Sequence, residues 1–200
     1  MPPHRTYQRI SGQRPQVRAD HWLQYYNHMT HRLLRGDLLI RKMLTDCSAG
    51  LACLQAAVGP DVRVGVLGHS MGGALAAFLA ALDSRAEFAC TSGAVSSYRY
   101  RMAHGIGVGM EQVIPGFAAA FDLDDVLACI APRPVLVVSA DGDPATGDAA
   151  EVVTAARDKV VVAKDHWLEH LHVPGAHRLD QNRFDAIIAW ALRLSAASSP

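Results

Sequence analysis

From residue 61 onwards the chain alternates short strand-forming runs with helix-spaced segments, four times over. The apolar runs lie at 62–67, 88–92, 134–139 and 168–173, and the helix-spaced segments at 71–82, 122–130, 148–164 and 181–194. Strands separated by whole helices pair as parallel neighbours through crossovers, and parallel sheets need both faces covered. The predicted fold class is therefore α/β, one parallel sheet with helices on both faces. No internal repeat interrupts this order.

The first 60 residues read differently. Positions 1–19 are polar, Arg-rich and Pro-containing, and predict an extended arm. Helical spacing begins after Asp20, a candidate N-cap before His21-Trp22-Leu23, and resumes after Gly36 with Asp37 as cap. The stripe Ile40, Met43, Leu44, Cys47, Leu51 and Leu54 buries one face of that second helix, which Gly59-Pro60 stops. Residues 1–36 are expected to form a basic arm and helix (a lid or insertion remnant), 37–195 the α/β core and 196–200 a polar tail.

Composition excludes several function classes. With 200 residues, half of them hydrophobic, one domain can bury a sizeable core without staples. Nineteen basic side chains against nineteen acidic ones argue against nucleic-acid or membrane-surface partners, which select a strong positive field. The balance is uneven, since residues 1–42 carry a net +6 and the remainder −6. Cysteines 47, 53, 90 and 129 have no metal-site spacing, and no apolar stretch behind Met1 reads as a signal peptide. A cytoplasmic protein without cofactor is expected.

The sharpest local signal is Gly68-His69-Ser70-Met71-Gly72-Gly73, between the first strand and its helix. A serine hydroxyl becomes a nucleophile when it is held clear of the backbone beside a base. A tight strand-to-helix turn holds it clear, and small residues two before and two after the serine let strand and helix approach. The helix N-terminus presents the Met71 N–H towards a developing oxyanion. Such an elbow predicts an acid and then a histidine, each just past a later strand. Ser139-Ala140-Asp141-Gly142-Asp143-Pro144 follows the third strand, with Asp143 the first choice of acid and Asp141 the second. Pro174-Gly175-Ala176-His177 follows the fourth, which makes His177 the candidate base. All three positions fall at the carboxyl ends of strands, where open α/β sheets place their sites.

Other clusters compete. His166-Trp167-Leu168-Glu169-His170 matches an inverted zinc-protease pattern, which needs a helix. Alternation of Leu168, His170 and His172 with Glu169, Leu171 and Val173 favours a strand instead. Arg99, Arg101 and His104 are expected to be solvated loop charges. Trp22, Tyr25 and Tyr26 are expected in core or lid packing, and His21, His28 and His31 on helix surfaces.

Two stretches resemble the α/β-hydrolase superfamily, in its dienelactone-hydrolase and acetyl-xylan-esterase-like branch. They are Gly68-His69-Ser70-Met71-Gly72-Gly73 and residues 122–136, with its Ala131-Pro132-Arg133-Pro134 lead into a strand. Pro174-Gly175-Ala176-His177-Arg178-Leu179 resembles the histidine loop of that branch, and the likeness extends over residues 33–195. The resemblance implies Ser70 as nucleophile, Asp143 as orienting acid, His177 as general base and Met71 as oxyanion donor. It also implies cofactor-free hydrolysis of a small-molecule ester through an acyl-enzyme. One departure stands out: that family has four further strands before the elbow, and a loop among them supplies a second oxyanion N–H. The first strand should then lie at an open edge, which invites pairing with a second copy, or the chain is the C-terminal portion of a longer hydrolase. The alternatives are an impaired hydrolase remnant acting as a binding or structural module, and a small serine peptidase.

Overall fold

A computed structural model describes residues 21–161 and 166–196. The expected arm, the Asp20 cap and the tail beyond residue 196 lie outside the described residues. Two helices come first, α1 (His21–Leu33) and α2 (Leu39–Val58). Asp37 accepts the Leu38 N–H at 2.9 Å, one residue before the expected capping geometry, and Leu38 itself is the N-cap. Gly59, at φ 88°, ends α2 as expected. Ile40 and Leu51 of the predicted stripe are buried, whereas Leu54 is exposed.

The alternation then runs β1 (Val66–His69), α3 (Met71–Leu82), β2 (Ala89–Ser92), α4 (Tyr98–Ala103), α5 (Phe117–Ala120), α6 (Leu123–Ala128), β3 (Val135–Gly142), α7 (Ala149–Asp158), β4 (Leu168–Ala176) and α8 (Gln181–Ala196). All pairings are parallel, in the order β1-β2-β3-β4. The first strand begins four residues later than predicted. Val64 is tied instead through its carbonyl to the Glu87 N–H at 2.9 Å, and the Phe88 ring occupies the place where a Gly65 side chain would stand.

Strands laid down in one direction, joined by right-handed crossovers, place every connecting helix on one face. The core divides accordingly. Ala89, Val135 and Val137 pack on that face with Ile40 and Leu51 of α2, Phe78 of α3, Leu127 of α6 and Val153 of α7. Their alternate neighbours Cys90, Leu136 and Val138 point the other way and meet Ile187 and Trp190 of α8. Both faces are covered, as predicted, but unequally. Leu67, in register with Cys90 and Leu136, is 50% exposed beside the β1 edge, and Phe184, Ile188 and Leu192 form an exposed stripe on α8.

Half-buried Arg133 and buried Asp122 pin the connections. Arg133, from the Ala131-Pro132-Arg133-Pro134 stretch, donates to the carbonyls of Ala80, Asp83 and Ala86 at 2.6, 3.1 and 2.7 Å, neutralising the C-terminal end of α3. Asp122 caps α6 with a capping box and accepts the Tyr98 N–H at 2.7 Å, joining α4 to α6. The cysteines are free, and burial pushes the Cys90 thiol up to about 12, which leaves it inert. No helix among the described residues is long and apolar enough to cross a membrane.

Candidate active site

Ser70 alone turns the chain from β1 into α3, at φ 57° and ψ −123°, the one positive-φ residue other than glycine among the described residues. Such a conformation costs about 1–3 kcal/mol and persists only where its surroundings over-determine it. Here the Ser70 N–H is held by the Ser92 carbonyl at 2.8 Å, and the Ser70 carbonyl accepts the Ala74 N–H at 3.1 Å. Met71 supplies the first amide of α3, one of the N–H groups a helix leaves without an intrahelical partner.

The glycines around the turn are not equivalent. A Cβ at Gly68 would stand 1.9 Å from the Gly72 carbonyl oxygen, and one at Gly73 2.7 Å from that of Ser92. A Cβ at Gly72 would meet nothing within 4 Å. Gly68 does approach the Gly72 backbone as expected, but the positions that exclude a side chain are Gly68 and Gly73, not Gly72. Gly68→Ala is expected to cost about 3 kcal/mol or more, because the obstructing atom is backbone and cannot rotate away. A fall in melting temperature of about 6–12 °C, read by circular dichroism, is the corresponding measurement.

His177, past the end of β4, places Nε2 2.8 Å from Ser70 Oγ and Nδ1 2.9 Å from Asp143 Oδ1. With Nδ1 protonated, the imidazole donates to the carboxylate and accepts the serine hydroxyl proton. The Asp143 side chain is wholly buried, while that of His177 is 38% exposed, so the imidazole faces solvent and the carboxylate does not. Asp143 also accepts the Ala145 N–H at 3.1 Å, so the turn-capping use of this residue coexists with its contact to histidine.

A second serine–histidine–aspartate cluster lies close by. Ser139 Oγ is 2.7 Å from His172 Nδ1, and His172 Nε2 is paired with Asp141. Ser139 also meets His170 Nε2 at 2.8 Å. Ser139 sits at 1% exposure within β3, with no helix N-terminus before it, so no substrate carbonyl reaches its hydroxyl. This cluster accounts for Asp141, the second-choice acid, which does not meet His177. The zinc pattern is likewise taken apart by β4: Glu169 binds Trp190 Nε1 and Arg193, and His170 turns to Ser139. Among the described residues no cluster of three or more metal-ligating side chains forms.

His69 packs its ring 5.1 Å from that of His177, with its Nδ1 3.1 Å from Ser92 Oγ. Burial first, then the nearby positive Arg183, hold the His69 imidazole below the ordinary value of 6.5. His170 is held down in the same way, by burial and by its neighbour His172. Both are favoured as neutral groups in the fold, whereas the unfolded chain protonates them around 6.5, so the unfolded state binds more protons below that value. Stability from these two groups is complete above about 6.5 and is lost as pH falls through their lowered values. The melting temperature is expected to be lower at pH 5.5 than at 7.5, with a smaller difference in His170→Gln; an equal difference in that variant would exclude His170 as a source.

Two expectations about the surroundings are overturned, those for Arg101 and His28, while Arg99 and His104 are exposed as expected. Arg101 is not solvated: it is buried, and its guanidinium donates to the carbonyls of Gly107 and Ala145 at 3.0 Å each, bracing the Asp143 loop. Arg99 is exposed and paired with Asp122, and His104 is exposed and stacked on Tyr100. His28 is buried rather than on a helix surface. Trp22 is 72% exposed and Tyr26 46%, so neither is core. Tyr25 lies at the rim of the turn, donating to Glu111 Oε2 at 2.5 Å with its oxygen 3.5 Å from Met71 Sδ. Arg183, which sequence reasoning did not single out, lies fully buried beneath the three site loops.

No protein-family model matches the chain, and no curated protein sequence does either. Solved structures do. A candidate acetyl xylan esterase from Bacteroides fragilis superposes with a TM-score of 0.64 at 17% identity, over 85% of this chain and 52% of that one. A glucuronoyl esterase from Teredinibacter turnerae gives 0.58 at 21% identity, over 79% and 47%. A methylesterase gives 0.52 at 26% identity, over 70% and 32%. The chain thus spans about half the length of the first two and a third of the last. Parallel strand order, the turn at Ser70 and these likenesses together show that the chain has an α/β-hydrolase fold.

Proposed function

We propose that the chain is a serine hydrolase of carboxylic esters, with Ser70 on a nucleophile elbow. The observation that carries this reading is His177 lying between Ser70 Oγ and a buried Asp143 at hydrogen-bond distance on both sides. His177 Nε2 takes the Ser70 proton as Oγ attacks the ester carbonyl carbon, and the Met71 N–H faces the oxyanion that forms. The carbonyl then re-forms, the alkoxide leaves with the proton from His177, and the acyl group stays on Ser70. Water, deprotonated by the same imidazole, attacks that acyl carbon and releases the acid. No step calls for a cofactor, and a small-molecule ester is the expected substrate class. The esterase names of the structural neighbours agree with this class.

A fluorophosphonate probe tests the reading directly, because it phosphonylates an activated serine. Labelling confined to Ser70 is expected, and its absence would sink the claim. A second reading, a non-catalytic binding module, draws on β1 standing at the edge of the sheet among the described residues. Turnover of p-nitrophenyl acetate that depends on Ser70 would refute that alternative.

A further inference from the structure

We infer that Arg183 is a positioning residue that fixes the Ser70, Asp143 and His177 loops to one another. The inference rests on the proposed roles of those three residues.

Arg183 enters from α8, an element that contributes no reacting group. Its backbone N–H is capped by Asp180 Oδ1 at 2.9 Å, which sets the first turn of the helix and aims the side chain under the site. At 1% exposure the guanidinium then reaches three loops at once. Nη1 lies 3.7 Å from Asp143 Oδ2 in the acid loop and 3.5 Å from His69 Nδ1, the residue before the serine. Nη2 donates to the carbonyl of Ala176, the residue before the base, at 3.3 Å.

Asp143 shows what this arrangement does. Its Oδ1 receives both hydrogen bonds, from His177 and from Ala145, while Oδ2 is buried without a hydrogen-bond partner. A buried carboxylate oxygen with no partner is costly unless a countercharge faces it, and Arg183 is the cation that does so. With Oδ2 turned to the guanidinium, Oδ1 is the oxygen left for His177 Nδ1–H, so the charge pair selects the carboxylate rotamer and with it the imidazole tautomer. The space is closely fitted. A Cβ at Gly93 would lie 3.1 Å from Nη1 and 2.7 Å from the His69 ring. Arg183 touches no reacting atom, so its effect passes through Asp143 and the backbone at Ala176.

The test compares the unaltered chain with Arg183→Met and Arg183→Lys by three readouts: melting temperature, kcat and KM for p-nitrophenyl acetate, and the downfield ¹H NMR resonance of the His177 Nδ1–H. Well below its melting temperature, Arg183→Met is expected to lose tenfold or more in kcat with KM within twofold, and to lose the Nδ1–H signal. Arg183→Lys, which keeps the charge but not the fork, should recover part of both. A folded Arg183→Met with unchanged kcat and an intact signal would overturn the inference, because a merely structural arginine would lower only the melting temperature. Should Arg183→Met fail to fold, Arg183→Lys decides, since wild-type kcat and signal there would overturn it equally. Absence of Ser70-dependent turnover in the wild-type protein would instead refute the esterase reading, and the NMR comparison would still judge Arg183.

Discussion

Ser70→Ala is expected to lower kcat for p-nitrophenyl acetate by about 10⁴–10⁶-fold and to abolish fluorophosphonate labelling, the largest effect of any single substitution. The size follows from the chemistry: without Oγ no acyl-enzyme forms, and only binding and the helix N–H remain to assist water. Folding should be nearly untouched, since Ser70 holds its turn through backbone bonds to Ser92 and Ala74 rather than through its hydroxyl. A variant that kept more than about a hundredth of the activity would place the nucleophile elsewhere. Ser139 is the next residue to replace in that event, although its burial argues against it.

Asp143→Asn is expected to cost about 10⁴ in kcat. The carboxylate accepts from both His177 Nδ1 and the Ala145 N–H, and it is the anion facing Arg183. An amide is neutral and can present its NH2 group to the imidazole, which then exposes a protonated Nε2 to Ser70 and cannot take its proton. Stability should fall as well, by about 3 kcal/mol or more, because the buried guanidinium of Arg183 loses its counterion. Steady-state kinetics and a thermal melt on the same preparation separate the two effects. Asp141→Asn is the matched control: Asp141 is exposed and serves His172, so its loss should leave kcat within a few-fold of the wild type. The reverse ranking of these two variants would move the orienting role to Asp141.

Much of this was legible in the chain because it is local. Helix α3 spans the predicted 71–82, and β2, β3 and α8 lie within a few residues of their expected places. Periodicity reports which side of an element is buried, and the Gly68-to-Gly73 turn carries its own geometry. Asp143 and His177 were nameable because both lie just past a strand, and strands of one parallel sheet end at one edge. Where the prediction missed, the deciding partner was remote in sequence. Strand β1 starts late because Phe88 packs on Gly65, and Gly73 rather than Gly72 is tightly constrained because Ser92 lies against it. Arg101 reads as a surface charge until the Ala145 carbonyl, 44 residues away, closes over it.

Arg183 left a trace that could have been followed. It falls on the same stripe of α8 as Ile187 and Trp190, at i, i+4 and i+7, so a charged residue stands at a core-facing position. A cation on a buried stripe needs an anion beneath it, and that requirement points towards the acid loop without saying which of its two aspartates is meant.

The sequence by itself determined the α/β alternation, the parallel sheet and the three residue types at the strand ends, because these follow from spacing and from the backbone demands of a tight turn. Only the tertiary structure assembled two serine–histidine–aspartate clusters of the same composition and set them apart. It did so through burial: Ser139 is enclosed in β3, whereas the turn at Ser70 sets its hydroxyl beside a solvent-facing His177.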